Sequence, residues 1–268
     1  MHREEIDVTG SVEYLENVMG TAWLKDNLQS VKESHGGRVS FGCGFDADSA
    51  GVSAVAYLWY KAREEMAAAA ISGGTCSGPY SLAAAVLAAD MAVLSTSPGW
   101  TAKLEELKAG KHCLHIAGEL CIAAGYVRNG CRVDFAAGAG SFVVECGAVK
   151  VLVYCAELPP AVGREVAGRL QQKAAGCGDK PYPAVFYLHA GSTAPVAAGT
   201  AGRPSAVVPA EALAACPVPV VVFTTGTRYV NGRPVYIKEG WLVGDAPPAI
   251  PAEMLYIPGE MLVSSQSH

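Results

Sequence analysis

An α/β fold is what this sequence predicts, with a helical region over residues 1–109, an α/β core over 110–226, and a β-hairpin with a proline-rich strap over 227–268. Up to Leu107 the apolar residues recur at helical spacing. Beyond Gly110 the period changes to short alternating strands divided by glycine turns. Two continuous apolar runs, 184–188 and 218–224, have the composition of strands covered on both faces. A chain of 268 residues that is about half apolar and 17% charged has enough buried surface for one large core or two modest ones.

The first helix is expected over 12–33, where Leu15, Val18, Met19 and Ala22 share a face, with Ser11 as N-cap and Gly36-Gly37 as its stop. Residues 42–48 read as a turn before a second helix over 49–70, and Gly73 to Pro79 is a strong break. A third helix over 80–94 ends at Ser97-Pro98-Gly99, and a short charged helix follows over 101–107. These alanine-rich helices hold only if packed against something else.

Next, Cys113, Ile116, Ala117, Leu120, Cys121 and Ala124 form one helical stripe, closed by the Asn129-Gly130 turn. Three strands are then expected over 131–135, 141–146 and 149–155, separated by Gly138-Ala139-Gly140 and Gly147-Ala148. Pro159-Pro160 opens a helix with Val162, Val166 and Leu170 on one face, ending at Gly176-Cys177-Gly178. Strand 184–188, a short helix near 210–214 and strand 218–224 follow. Asn231-Gly232, between residues 229–230 and 234–237, is the preferred dipeptide of a two-residue hairpin turn. From Asp245 onward, Pro247, Pro248, Pro251 and Pro258 favour an extended surface strap, with residues 264–268 loose.

Several functions are disfavoured by composition. Residues 1–100 carry 6 Lys/Arg against 12 Asp/Glu and residues 101–180 carry 10 against 8, so the balance is −6 against +2. Whole-molecule attraction to nucleic acid is not expected, while a basic face in the middle segment is allowed. The richest apolar stretch, 80–94, is too short for a membrane span and contains Asp90. The opening residues carry no export signal, so a cytoplasmic location is expected. Nine cysteines without a CxxC pair argue against a disulfide framework or a zinc knuckle.

The smaller motifs are weak. Cys43 and Cys76 sit beside glycines but have no histidine at a useful spacing. His112 and His115 give two ligands of a metal site and no third. Gly42-Cys43-Gly44 lacks the third glycine of a dinucleotide fingerprint, with Ala47 in its place, and Asp46 and Asp48 lack the glutamate of a calcium loop.

The middle segment, about 111–225, resembles the PD-(D/E)xK, or restriction-endonuclease-like, nuclease superfamily. The stretch 117–124 matches a helix carrying a glutamate, Glu119, and Gly130-Cys131-Arg132-Val133-Asp134-Phe135 matches the strand after it. Ser141-Phe142-Val143-Val144 then falls at the "Asp-Phe" strand, and Val153-Tyr154-Cys155-Ala156 at the "Glu-Cys-Lys" strand. The resemblance implies an αβββαβ core with a mixed sheet. It also implies that an aspartate, a glutamate and a lysine should hold Mg²⁺ and polarise water at the positions of Ser141, Tyr154 and Ala156. A hydroxyl, a phenol and a methyl group do not do that together.

One expectation is therefore a catalytically degenerate nuclease-fold protein with no cofactor. It would bind protein or nucleic acid through a face around Arg128, Arg132, Arg164 and Arg169. In a second register Asp134 is the motif aspartate, so that Glu119, Asp134 and Glu145 hold Mg²⁺ and Lys150 supplies the cation of a DNA endonuclease. A third reading is a self-assembling structural protein whose alanine-rich helices make homo-oligomer interfaces. The plain reading places Asp134 and Glu145 on a wet sheet face, pairs Glu119 with Arg128 or another cation, and makes Tyr154 a plug where metal and water would sit.

Overall fold

The computed structural model describes residues 2–34, 53–73, 78–109, 113–137, 141–157, 182–189, 218–230, 233–243, 250, 254–256 and 261–265. Within them the chain is an α/β protein with six helices and a mixed sheet. The expected helices over 159–176 and 210–214, the 42–48 turn and the start of the strap lie outside the described residues.

The expected first helix is two, α1 (Val8–Met19) and α2 (Thr21–Ser34), parted at Gly20, whose φ of 85° a helix does not accept. The N-cap is Asp7 and not Ser11: the Asp7 carboxylate accepts from Gly10 N at 3.1 Å, and Ser11 N already donates to Asp7 O. Helix α3 (Ala54–Ser72) starts later than expected because Ser53 caps it, and it stops at left-handed Gly73. Helix α4 (Pro79–Leu94) has proline in its first turn, and Glu65 of α3 accepts from Tyr80 N at 3.3 Å and Ser81 N at 2.7 Å. A Cβ at position 78 would collide with that carboxylate, so Gly78 permits the cap. Helices α5 (Trp100–Lys108) and α6 (Cys113–Arg128) complete the layer.

The strands are β1 (His2–Ile6), β2 (Arg132–Asp134), β3 (Ser141–Cys146), β4 (Val149–Glu157), β5 (Ala184–His189), β6 (Val220–Val230), β7 (Arg233–Val243) and β8 (Met261–Ser265). They form one sheet in the order β1-β8-β7-β6-β5-β4-β3-β2. The expected meander is present, with β2–β3 and β3–β4 antiparallel, and β5 lies parallel to β4 and to β6. The hairpin is longer than expected, pairing β6 with β7 over eleven positions from Val220↔Val243 to Val230↔Arg233. Two expectations about the ends are corrected. The N-terminal segment is not purely helical, because β1 pairs in parallel with β8, and residues 264 and 265 are held in β8 and not loose.

Alternation fixes the two faces of the sheet. Val133, Phe142, Val144, Val151, Val153, Val185, Tyr187, Val221 and Phe223 point to the face covered by the helices. Leu152, Ala184, Phe186, Leu188, Val220 and Val222 point to the opposite face. The helix-side core runs from Ile6 to Leu255, so positions 109 and 226 mark changes in composition within a shared core. The strap contributes to it through buried Ile250, Met254 and Leu255. Among the described residues no helix is long and apolar enough to cross a membrane.

Candidate functional site

Where the resemblance places the catalytic acids and lysine, the strands bring the three substitutes together. Ser141 and Tyr154 are direct partners in the β3–β4 register, and Ala156, two positions on, shares their face. Ser141 is buried. The Tyr154 ring stacks on Phe186 of β5, with centroids 5.1 Å apart and planes 15° apart, and Ala156 packs against the same apolar cluster. A phenyl ring and aliphatic groups thus cover the floor where the resemblance would set oxygen ligands.

The second set of residues is divided by the sheet. Arg132, Glu145 and Lys150 are register neighbours on the face away from the helices, and alternation puts Asp134 there too. Glu145 lies 3.3 Å from Lys150, both partly exposed, and Asp134 Oδ1 accepts from Ala136 N at 2.9 Å. Glu119 rides on α6, which covers the other face, and is fully buried. Glu119, Asp134 and Glu145 therefore do not converge, and Lys150 forms an ion pair with Glu145 alone. No group of three or more His, Cys, Asp or Glu side chains converges as a metal-ion site among the described residues. These three carboxylates do not fit one magnesium ion, which needs its oxygen ligands on a common centre.

Glu119 pairs with a cation, but with Lys103 and not Arg128. Lys103 Nζ lies 2.9 Å from Glu119 Oε1 and 2.6 Å from Glu106 Oε2, and 5.6 Å from the centre of the Phe135 ring. Apart from Lys103, neither Glu119 carboxylate oxygen has a donor among the described residues. Burial raises the Glu119 pKa above the ordinary carboxylate range, and Lys103 offsets only part of this. The Lys103 ammonium is pushed down by burial, yet its two carboxylates leave its pKa raised.

A second buried charge cluster sits further along the same face. Asp90 of α4 accepts from Lys238 Nζ of β7 at 2.8 and 3.1 Å and from Arg128 Nη1 of α6 at 2.6 Å. Burial alone would lower the Lys238 pKa, and the adjoining Asp90 raises it instead. Arg128, expected on a binding face, is thus engaged with a buried aspartate. Arg132 is exposed, while Arg164 and Arg169 lie outside the described residues.

Near this cluster the polar groups form further links. Tyr236 bonds Thr225, whose Oγ1 is 3.0 Å from His189 Nε2, and the imidazole stacks on Phe223. Gly118 brings α6 flush against these two rings. The Tyr126 and Tyr187 hydroxyls lie 2.7 Å apart, with the backbone oxygens of Met254 and Tyr256 at 2.9 and 2.8 Å, and two phenol protons serve these three contacts. Burial pushes the Tyr126 phenol up to about 12. Sequence reasoning missed Lys103, Lys238 and this tyrosine cluster. Asp90 carried a signal, since a lone carboxylate in an apolar helix requires a partner.

Comparisons of the chain with protein-family models, with curated proteins and with solved structures return no match.

Proposed function

We propose that this protein is a nuclease-fold scaffold without nuclease chemistry, which works by binding another protein. The strand order supports the reading, since helix α6, an antiparallel meander and a strand parallel to its last member follow the layout of the resembled superfamily. The observation that carries it is the Ser141–Tyr154 register pair, with Ala156 on the same face and Phe186 stacked on the tyrosine. Water activation between two strands needs carboxylates at such a pair, and removing that metal chemistry removes many kcal/mol of barrier lowering.

A protein partner fits better than nucleic acid. The accessible end of the meander carries Arg132 and Lys150 beside Asp134 and Glu145, which is locally neutral, and Arg128 is occupied by Asp90. Phosphate binding depends on uncompensated cations.

The test is incubation of the purified chain with supercoiled DNA and Mg²⁺ or Mn²⁺, alongside a gel shift at low and high salt. No nicking and no salt-sensitive shift are expected. Metal-dependent nicking that Asp134→Ala abolishes would overturn the reading in favour of an endonuclease.

A further inference from the structure

Cys131 stands directly before β2 and Cys146 closes β3. The antiparallel register pairs Arg132 with Glu145, and one step outward the same register sets Cys131 opposite Cys146. Opposed residues of an antiparallel pair have Cα atoms about 4.5–5.5 Å apart. This lies inside the ~4.4–6.8 Å span that a disulfide bridges. The two thiols are close enough to influence one another directly, and neither is in a disulfide. Both point to the helix-packed face, where Cys131 is buried and Cys146 is half-buried. Their backbones are anchored, because Cys131 N donates to Tyr126 O at 3.0 Å and the chain reverses straight after Cys146 at Gly147, φ 61°.

We propose that Cys131 and Cys146 form a reversible cross-strand disulfide when the protein meets a low-molecular-weight disulfide of the glutathione class. The more accessible Cys146, as thiolate, attacks one sulfur of the oxidant, breaking its S–S bond and expelling one thiolate. Cys131, as thiolate, then attacks the Cys146 sulfur of the mixed disulfide and expels the second. Two cysteine thiols are oxidised, the external disulfide is reduced to two thiols, and the two protein protons pass to those products.

Burial, reinforced by the neighbouring Cys146, pushes the Cys131 thiol up to about 12. Each step needs a thiolate, so formation of the bridge accelerates as pH rises. The bridge fixes the end of the ladder that displays Arg132, Glu145 and Lys150, so the redox state sets how rigid that surface is. Closing a loop of this length lowers the unfolding equilibrium constant by roughly a hundredfold.

The folded full-length chain is treated with oxidised glutathione, quenched in acid, alkylated, denatured and digested with trypsin. Cleavage after Arg128, Arg132 and Lys150 separates Cys131 in peptide 129–132 from Cys146 in peptide 133–150. The expected product is these two peptides joined by a disulfide, reversed by dithiothreitol and formed faster at pH 9 than at pH 7. Recovery of both peptides separately alkylated, or of glutathione on Cys146 beside alkylated Cys131, overturns the proposal. In Cys131→Ser the glutathione should stay trapped on Cys146, which fixes the order of attack. The peptide map of the unsubstituted chain decides the matter even if that variant does not fold.

Discussion

Replacing Lys103 with methionine keeps most of the side chain's length and removes its charge. In the parent, Lys103 stands between Glu119, which has no solvent exposure, and Glu106, whose side chain is 34% exposed. Glu106 can turn to water when the ammonium is lost. Glu119 cannot, and it has no directed hydrogen-bond donor among the described residues to fall back on. Removing one partner of a buried ion pair costs about 3–5 kcal/mol when the remaining charge stays ionised. Lys103→Met should therefore destabilise the protein by about that amount at pH 8, measured by urea unfolding.

The pH dependence has a definite sign. Glu119 has a folded pKa raised above its ordinary value of 4.5, so its contribution to stability is complete below that value and declines as pH rises through the folded pKa. Without Lys103 the folded pKa rises further, and each further unit is worth about 1.4 kcal/mol. The gap between parent and variant should accordingly be smaller at pH 5, where Glu119 can take up a proton, than at pH 8. Adding Glu119→Leu should recover most of the loss at pH 8, because it removes the stranded charge. A cost below about 1 kcal/mol at pH 8, an equal cost at both pH values, or no recovery in the double variant would each refute the account.

Gly125→Ala should destabilise by about 1–3 kcal/mol in thermal or urea unfolding, because a Cβ at that helix position would fall inside the Tyr256 ring. If packing there were loose, the better helix propensity of alanine would instead stabilise by up to about 1 kcal/mol, so the sign decides. Ser141→Asp with Tyr154→Glu puts two carboxylates on one register pair, with Cβ atoms about 4.5–5.5 Å apart. This variant should melt below the parent in EDTA and gain thermal stability with Mn²⁺, while the parent gains none; a variant indifferent to Mn²⁺ would refute the proposed correspondence with the nuclease notch.

Local chemistry made much of the fold legible. Strand β3 begins and ends where the sequence predicts, because its interior is β-branched and aromatic and Gly147 reverses the chain after it. The antiparallel pairing of β6 with β7 was announced by the dipeptide Asn231-Gly232 between them. Strand β1 was not legible, since its sequence HREEI lacks alternating apolar residues and its pairing comes from β8 at the far end of the chain. The break at Gly20 was hidden for a related reason: the stripe Leu15, Val18, Met19, Ala22 runs across it, and periodicity does not register a single positive φ. Lys103 and Lys238 looked like surface lysines because nothing local shows that Glu119 and Asp90 approach them from other helices.

The division of Glu119 from Asp134 and Glu145 shows where pattern reading stops. Period-two alternation alone places Asp134, Ser141, Glu145 and Tyr154 on a common face, so either register of the motif selects the same side of the sheet. What alternation does not reveal is which side the preceding helix covers. On β3 and β4 both faces are apolar, with Phe142, Val144, Val151 and Val153 on one and Val143, Leu152 and Tyr154 on the other, so the helix has no unique hydrophobic target in the sequence. The choice is made by long-range packing. Gly118 and Gly125, spaced so as to share one side of α6, let the helix settle onto His189, Phe223 and Tyr256. Once it lies there, Glu119 is carried to the helix side of the sheet, where Lys103 meets it, and it is removed from the strands' carboxylates.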